Sequence, residues 1–322
     1  MTLRVSSVFK DLLLAYRDIQ LASGIKMATI ERQLNYFDEF IKENNIKDIK
    51  FDHDTAIKWL NYRSEQGPLT RNIRISWSIH FLNYLKSLGY EVYIPRLPRY
   101  VASRFQAYIF SDDEIKRYFE NIDTYFSNKD PFVALYLPAI FRILYTSGTR
   151  VGETLSIKVK DVDLENGIIK LKETKNGKER YVVLNEDVRI LLNKYANKCL
   201  YLKTDDDYFF SHIDKRRISE QSVYRFHRKA LRDSNIKYIG RGSGPRLHDL
   251  RHTFAVKSLI KFEKEGFDLN NVLPILSKYL GHSNISATEK YIRLVADHFD
   301  DFINRTKGIT AYLMDGDQYE SN

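Results

Sequence analysis

What this chain of 322 residues has little of narrows it first. It holds one cysteine, Cys199, which excludes an internal disulfide and argues against a zinc site built on cysteines. No apolar run is long enough to span a bilayer. The opening MTLRVSSVFKDLLLAYRD lacks the continuous apolar core of a signal peptide, because Lys10 and Asp11 interrupt it. Internal repeats and long low-complexity segments are absent. The 42 acidic residues are numerous, but none sits in a motif that asks for a metal. The expectation is a cytoplasmic protein with no membrane partner, no metal and no cofactor.

The remainder is ordinary in bulk and biased in charge. Hydrophobic residues make up 43% and charged residues 29%, as in a soluble globular protein with room for two cored domains. The formal net charge is +9, and a basic balance favours partners that carry phosphate.

Periodicity divides the chain. Ile30, Leu34, Phe37 and Ile41 repeat at helical spacing, as do Ile75, Ile79, Leu82 and Leu85, with Gly89 at the stop. Shorter helical patterns lie over residues 8–19 and 55–62. Four or five packed helices are predicted up to about residue 89. Pro95 and Pro98 then stop helices in a stretch made basic by Arg96, Arg99 and Arg104. The expected boundaries are a helical domain over 1–94, a basic linker over 95–108 and a second domain over 109–322. The linker can lie along DNA or simply be solvated. Ser111 and Glu114 form a capping box at the next helix start, with Phe110 and Ile115 as its staple. Helical pattern runs on to about Tyr145 and breaks at Ser147 and Gly148. In GIIKLKETKNGKERYVVL two β-branched runs flank an Asn176-Gly177 turn, a hairpin signal, and a short strand before it completes a small antiparallel sheet. Helices return after Asn185, and the acidic tail MDGDQYESN is expected to be mobile. The fold class is mainly α with a small antiparallel β-sheet.

Six residues could do chemistry together: Arg150, Lys175, His248, Arg251, His282 and Tyr291. A phosphodiester is anionic and its leaving alkoxide is poor. Splitting it without metal takes cationic donors, a nucleophile and a proton for the leaving oxygen. Arg150 and Arg251 suit the first task, since a guanidinium fork binds two oxygens and stays charged. Glu153, three residues after Arg150, shares its helix face and could orient it. His248 and Arg251 lie near a helix start behind Pro245, where backbone N–H groups favour an anion. His252 is set apart as a residue that points elsewhere. His282 follows the helix-ending Gly281. Ser286 and Glu289 make a second capping box that puts Tyr291 a turn and a half into a new helix. At the hairpin tip, Lys175 or Lys178 could protonate a leaving hydroxyl.

The local sequences TSGTRVGE, KNGKER, HDLRHTFA and LGHSNISATEKY, in this order, resemble the active site of the tyrosine recombinase, or phage integrase, family. The resemblance covers nearly the whole chain and is specific from about residue 111 to 294. It implies a helical core-binding domain, a linker and a mixed α/β catalytic domain that together clamp DNA. Arg150, His248, Arg251 and His282 would hold the scissile phosphate. Tyr291 would form a 3′-phosphotyrosyl link, Lys175 would protonate the 5′-hydroxyl, and Glu153 would support. Lys175 is favoured over Lys178 by its place ahead of the turn. Arg293 departs from a common histidine.

The resemblance further implies double-stranded DNA recombination sites as partner, a tetramer on synapsed DNA, a Holliday junction, and a segment from about residue 295 packed on a neighbouring subunit. An accessory DNA-bending or directionality factor is a further candidate partner. A mobile-element integrase or transposase is the leading role. A chromosome-dimer-resolving or DNA-inverting recombinase and a type IB topoisomerase-like enzyme are the alternatives. For DNA contact, GPLTRNIRISWSIHFLNYLKSLG presents Thr70, Arg71 and Arg74, with Arg71, Arg74 and Ser78 on a face opposite the apolar one. Arg96 and Arg99 of the linker join them. DKRRISEQSVYRFHRKALR contributes Arg216, Arg225 and Arg228, and its other cations, Lys215, Arg217, Lys229 and Arg232, cannot all share one helix face.

Overall fold

A computed structural model describes residues 5–25, 27–99, 107–127, 131–172, 179–238, 244–282 and 291–292. The chain divides into two compact units, Met1–Arg104 and Phe105–Asn322. The architecture is mainly helical with one small antiparallel sheet, as the periodicity predicts.

The first unit holds helices α1 (Lys10–Ala22), α2 (Met27–Glu43), α3 (His53–Asn61) and α4 (Pro68–Ser87). Its core is rich in rings: Phe9, Phe37, Phe40, Phe51, Trp59 and Phe81 are buried, mostly edge-on to one another. The helical repeat of α2 is the reason it packs there, since Ile30, Leu34, Phe37 and Ile41 are all buried. Asp52 caps α3 by accepting from the Thr55 N–H at 2.9 Å, and Pro68 starts α4 where its missing N–H costs nothing. Gly89 follows α4 with φ +90°, a left-handed backbone that glycine adopts without strain.

Arg74 corrects the expected polar face of α4. Its side chain is fully buried rather than solvent-facing. The guanidinium donates to the Trp59 carbonyl at 2.7 Å and the Tyr62 carbonyl at 2.6 Å, closing the C-terminal end of α3, and lies 4.4 Å from the centre of the Trp59 ring. Ser78 is buried too and accepts from Trp59 Nε1 at 2.8 Å. Polar residues on one helix stripe met the end of another helix, whose carbonyls need donors as much as a phosphate does.

The second unit begins with α5 (Asp112–Ser127) and α6 (Pro131–Thr146). The capping box at Ser111 is present: its N–H donates to Glu114 at 2.9 Å, and the Glu114 N–H donates to Ser111 Oγ at 3.2 Å. α6 is mainly apolar and runs through the core, with Arg142 paired to Asp123 at 2.6 Å. It stops at Ser147 and Gly148, and α7 (Val151–Leu155) follows. Strands β1 (Val162–Asp163), β2 (Ile168–Leu171) and β3 (Arg180–Val183) form an antiparallel sheet in the order β1-β2-β3. Ile169 pairs with Val182 and Leu171 with Arg180. Ile169, Leu171 and Val182 face the core, and Tyr181 and Val183 face out. The turn at Asn176-Gly177, with Lys175 and Lys178, lies outside the described residues. Helices α8 (Glu186–Cys199), α9 (Glu220–Asp233), α10 (Asp249–Lys264) and α11 (Leu269–Leu280) complete the unit. α10 and α11 share a smaller core with Tyr291 and Ile292. Among the described residues no helix is long and apolar enough to cross a membrane, and no cluster of His, Cys, Asp and Glu is placed to hold a metal.

Candidate active site

The site forms where α6 ends, α10 begins and α11 ends. Gly148 has φ +57°, and a Cβ there would lie 2.5 Å from Phe254 Cδ1 and 2.9 Å from Leu280 Cδ2. Only glycine fits this turn between α10 and α11 without displacing them. The turn aims Arg150 at the N-cap of α7, as the break in the sequence predicts. The Arg150 guanidinium donates to Glu153 at 2.6 Å and to the Gly281 carbonyl at 3.2 Å. Arg251 is buried on α10 and donates to the Gly148 carbonyl at 2.6 Å and the Leu280 carbonyl at 2.7 Å. Both arginines therefore meet at the end of α11, and their charges accumulate on one spot. Burial and then Arg150 lower the Arg251 pKa to about 10, within the range where it stays charged at neutral pH.

Glu153 is the counter-charge, and it has a second cation the sequence did not reveal. Arg180, at the start of β3, donates to Glu153 at 2.7 and 3.1 Å, with 9% of its side chain exposed. Arg180 was missed because it reads as part of a basic hairpin. Its signal was register: it stands two residues before the buried Val182, hence on the inward face. Burial alone would raise the Glu153 carboxyl, but the hydrogen bond and charge of Arg180, then the Arg150 N–H and guanidinium, hold it down at about 2.

The histidines converge from two helices. His248 stands at the N-cap of α10 and His282 one residue past the left-handed Gly281 that ends α11. Burial, then Arg251 and Arg150, lower both pKa values to about 4, so both rings are neutral at pH 7. His282 stacks on Tyr291 with ring centres 6.0 Å apart. Tyr291 is 2% exposed, and burial raises its pKa against the opposing effect of Arg251. Its hydroxyl meets His252 Nδ1 at 3.1 Å. The expectation that His252 points elsewhere is thus corrected. It is a neighbour of Arg251 in sequence but four residues after His248, and one helical turn puts those two rings 4.7 Å apart.

Of the six candidates, Arg150, His248, Arg251, His282 and Tyr291 come together, and Lys175 lies outside the described residues. So do the capping box of Ser286 and Glu289, Arg293 and the C-terminal segment. The cluster offers fixed cations, neutral imidazoles and one phenol around one point, which suits a phosphate and a nucleophile.

The basic stretch around α9 sorts itself. Arg225 and Arg228 are exposed, and with Arg232, Lys237 and Arg246 they line a groove of about 1130 Å³ that leads to Leu247, beside His248. Arg216 is exposed outside that groove and paired with Asp214 at 2.6 Å. Arg217 is structural, donating to the Gly152 and Leu155 carbonyls of α7. In the first unit Thr70, Arg96 and Arg99 are exposed and Arg71 is half-buried.

The model of the phage integrase family matches residues 109–298, over half of the chain. The chain belongs to that family. It is a tyrosine recombinase, an enzyme that breaks and rejoins DNA strands. Tyrosine recombinase XerC of Thermodesulfovibrio yellowstonii is 28% identical over 298 residues, covering 87% of this chain and 90% of that protein. Tyrosine recombinase XerA of Saccharolobus solfataricus is 38% identical over 160 residues, which are 49% of this chain and 46% of that protein. Among solved structures, XerH bound to palindromic difH substrate in a post-cleavage complex aligns with a TM-score of 0.63 and 19% identity, covering 85% of this chain and 78% of that one. A lambda integrase (75–356) dimer bound to a COC′ core site aligns at 0.61 and 18%, covering 88% and 94%. These likenesses establish the recombinase fold of the integrase-family chain.

Proposed function

We propose that this recombinase is site-specific and works through a 3′-phosphotyrosyl intermediate and a Holliday junction, as the integrase or transposase of a mobile element. The observation that carries the reading is the buried Tyr291 hydroxyl set among Arg251, Arg150 and three neutral imidazoles. Arg150, Arg251, His248 and His282 hold the scissile phosphate and stabilise charge on its non-bridging oxygens. Tyr291 displaces the 5′-oxygen, Lys175 protonates it, and Glu153 keeps Arg150 aimed. The phosphotyrosine conserves the bond energy, so rejoining needs no ATP. Residues 1–94 grip the DNA through Thr70 and Arg71, the basic segment 95–108 contacts it through Arg96 and Arg99, and in the second unit the groove of Arg225 and Arg228 holds phosphates. The assembly on synapsed DNA is a tetramer, in keeping with the lambda integrase tetramer seen bound to a Holliday junction.

Covalent capture tests this. Wild type and Tyr291→Phe are incubated in EDTA with nicked, sheared DNA from the source cell, denatured, and the attached fragments sequenced. Tyr291-dependent attachment at the ends of a mobile element is the expected result. Attachment at one fixed chromosomal locus supports a dimer-resolving role instead, and scattered attachment a topoisomerase-like one. An undiminished adduct from Tyr291→Phe removes the central claim.

A further inference from the structure

His252 has two different neighbours at its two ring nitrogens. Nδ1 lies 3.1 Å from the Tyr291 hydroxyl, and Nε2 lies 4.0 Å from Asp249 Oδ1. Asp249 is 1% exposed, and its carboxylate is held by the Arg246 N–H at 2.6 Å and the Arg246 guanidinium at 3.1 Å. A neutral imidazole carries one N–H and one lone pair, so it cannot donate in both directions. The carboxylate favours the N–H at Nε2. At 4.0 Å that preference is electrostatic rather than a direct hydrogen bond. The lone pair of Nδ1 is then left facing the phenol, with the base oriented by a third group.

We propose that His252 is the proton acceptor that activates Tyr291, oriented by Asp249. This rests on the recombinase reading above. In cleavage the phenolic O–H bond breaks and its proton forms a new bond to Nδ1. The freed oxygen pair forms the Tyr291 O–P bond. The P–O5′ bond breaks, and the leaving oxygen takes a proton from its own donor, Lys175. His252 then stands as an imidazolium facing Asp249. In rejoining, a 5′-hydroxyl gives up its proton to that same donor as it attacks phosphorus, and the departing Tyr291 oxygen recovers the proton from Nδ1. No other reactant is needed.

The groups around His252 keep it unprotonated until DNA arrives. His248, Asp249 and Arg251 face it from α10, Arg246 from the segment before, His282 from the end of α11, and Tyr291 from beyond. Burial first, then His248 and these cations, lower its pKa to about 3, so the ring is neutral and able to accept at pH 7. A phosphodiester brings negative charge beside Arg150 and Arg251. That charge raises the proton affinity of His252 at the moment the nucleophile must be deprotonated, which couples activation to a bound substrate.

Two measurements decide it. In wild-type protein labelled with 15N-histidine, NMR should show His252 with its proton on Nε2 and an Nδ1 resonance that moves in Tyr291→Phe. A proton on Nδ1 overturns the proposal, and this arm needs no DNA. With the nicked source DNA, His252→Gln and His252→Ala should bind as wild type does but form adduct about 100-fold or more slowly. The dependence of rate on pH should change, and added imidazole should restore His252→Ala, which a purely structural role would not allow. Adduct formation by His252→Gln within three-fold of wild type sinks this inference alone. No adduct from wild type sinks the recombinase reading and this inference with it. If a variant fails to fold, the tautomer in the wild-type protein decides.

Discussion

Replacing Glu153 by glutamine tests whether the site is held by charge. The side chain is 4% exposed and receives four N–H donors, two from Arg150 and two from Arg180. Its pKa falls from 4.5 to about 2, a difference worth ~3 kcal/mol in favour of the charged form. Glu153→Gln keeps the shape and one acceptor oxygen. It loses the charge and turns an amide N–H₂ toward guanidinium donors, leaving the nearly buried Arg180 and the partly buried Arg150 to repel each other. The expected cost is about 3 kcal/mol, or roughly 6–12 °C in Tm for a unit of this size. The sign with pH follows from a lowered carboxylate. Its contribution is full above about 4.5 and is lost as pH falls through about 2. The wild-type minus variant gap should therefore stay level from pH 8 to 6 and narrow between pH 4.5 and 2. Sulfate should raise the Tm of the variant more than that of wild type, since the unpaired arginines accept an anion. Differential scanning calorimetry across pH reads all three. A Tm change below about 2 °C at pH 7, or a gap that fails to narrow in acid, refutes the charge argument.

Arg74→Met keeps the aliphatic stem and strands the carbonyls of Trp59 and Tyr62, so urea unfolding should show a loss of about 2–4 kcal/mol. Folded Arg74→Met should bind DNA with an unchanged salt dependence, whereas Arg71→Ala should lower the log–log salt slope by about 1; the reverse pattern would return Arg74 to the DNA face. Burial lowers His227 to about 3 while its Nδ1 lies 2.7 Å from the Tyr118 hydroxyl. The unfolded chain protonates first, so stability falls as pH drops below 6.5, by about 1.4 kcal/mol per unit for each such histidine. Urea midpoints at pH 7, 6 and 5 should decline in wild type and decline less in His227→Gln, and equal slopes would refute the assignment.

Much of the fold was legible because its signals are local. The 3.6-residue repeat of α2, the capping box at Ser111, the breaks at Ser147 and Gly148 and the β-branched runs of β2 and β3 each act within a few residues. The order of the motifs was likewise enough to identify the family. Local signals erred where a side chain's partner lies far along the chain. Arg74 has the spacing of a solvent-facing residue, yet α3 ends against it. Arg180 looks like hairpin charge, yet the register of β3 turns it to Glu153, 27 residues earlier. His252 looked displaced from the site beside Arg251, yet it reaches Tyr291, 39 residues on.

The sequence by itself therefore determined which helices and strands form, which family the chain belongs to, and which residue types are available for phosphate chemistry, because propensity, capping and periodicity are short-range. Only the tertiary structure decided which cations are spent on helix ends, which carboxylate gathers two arginines, and which histidine meets the phenol. Those outcomes depend on how carbonyls at helix termini and buried charges find partners across the core, and no spacing along the chain records that.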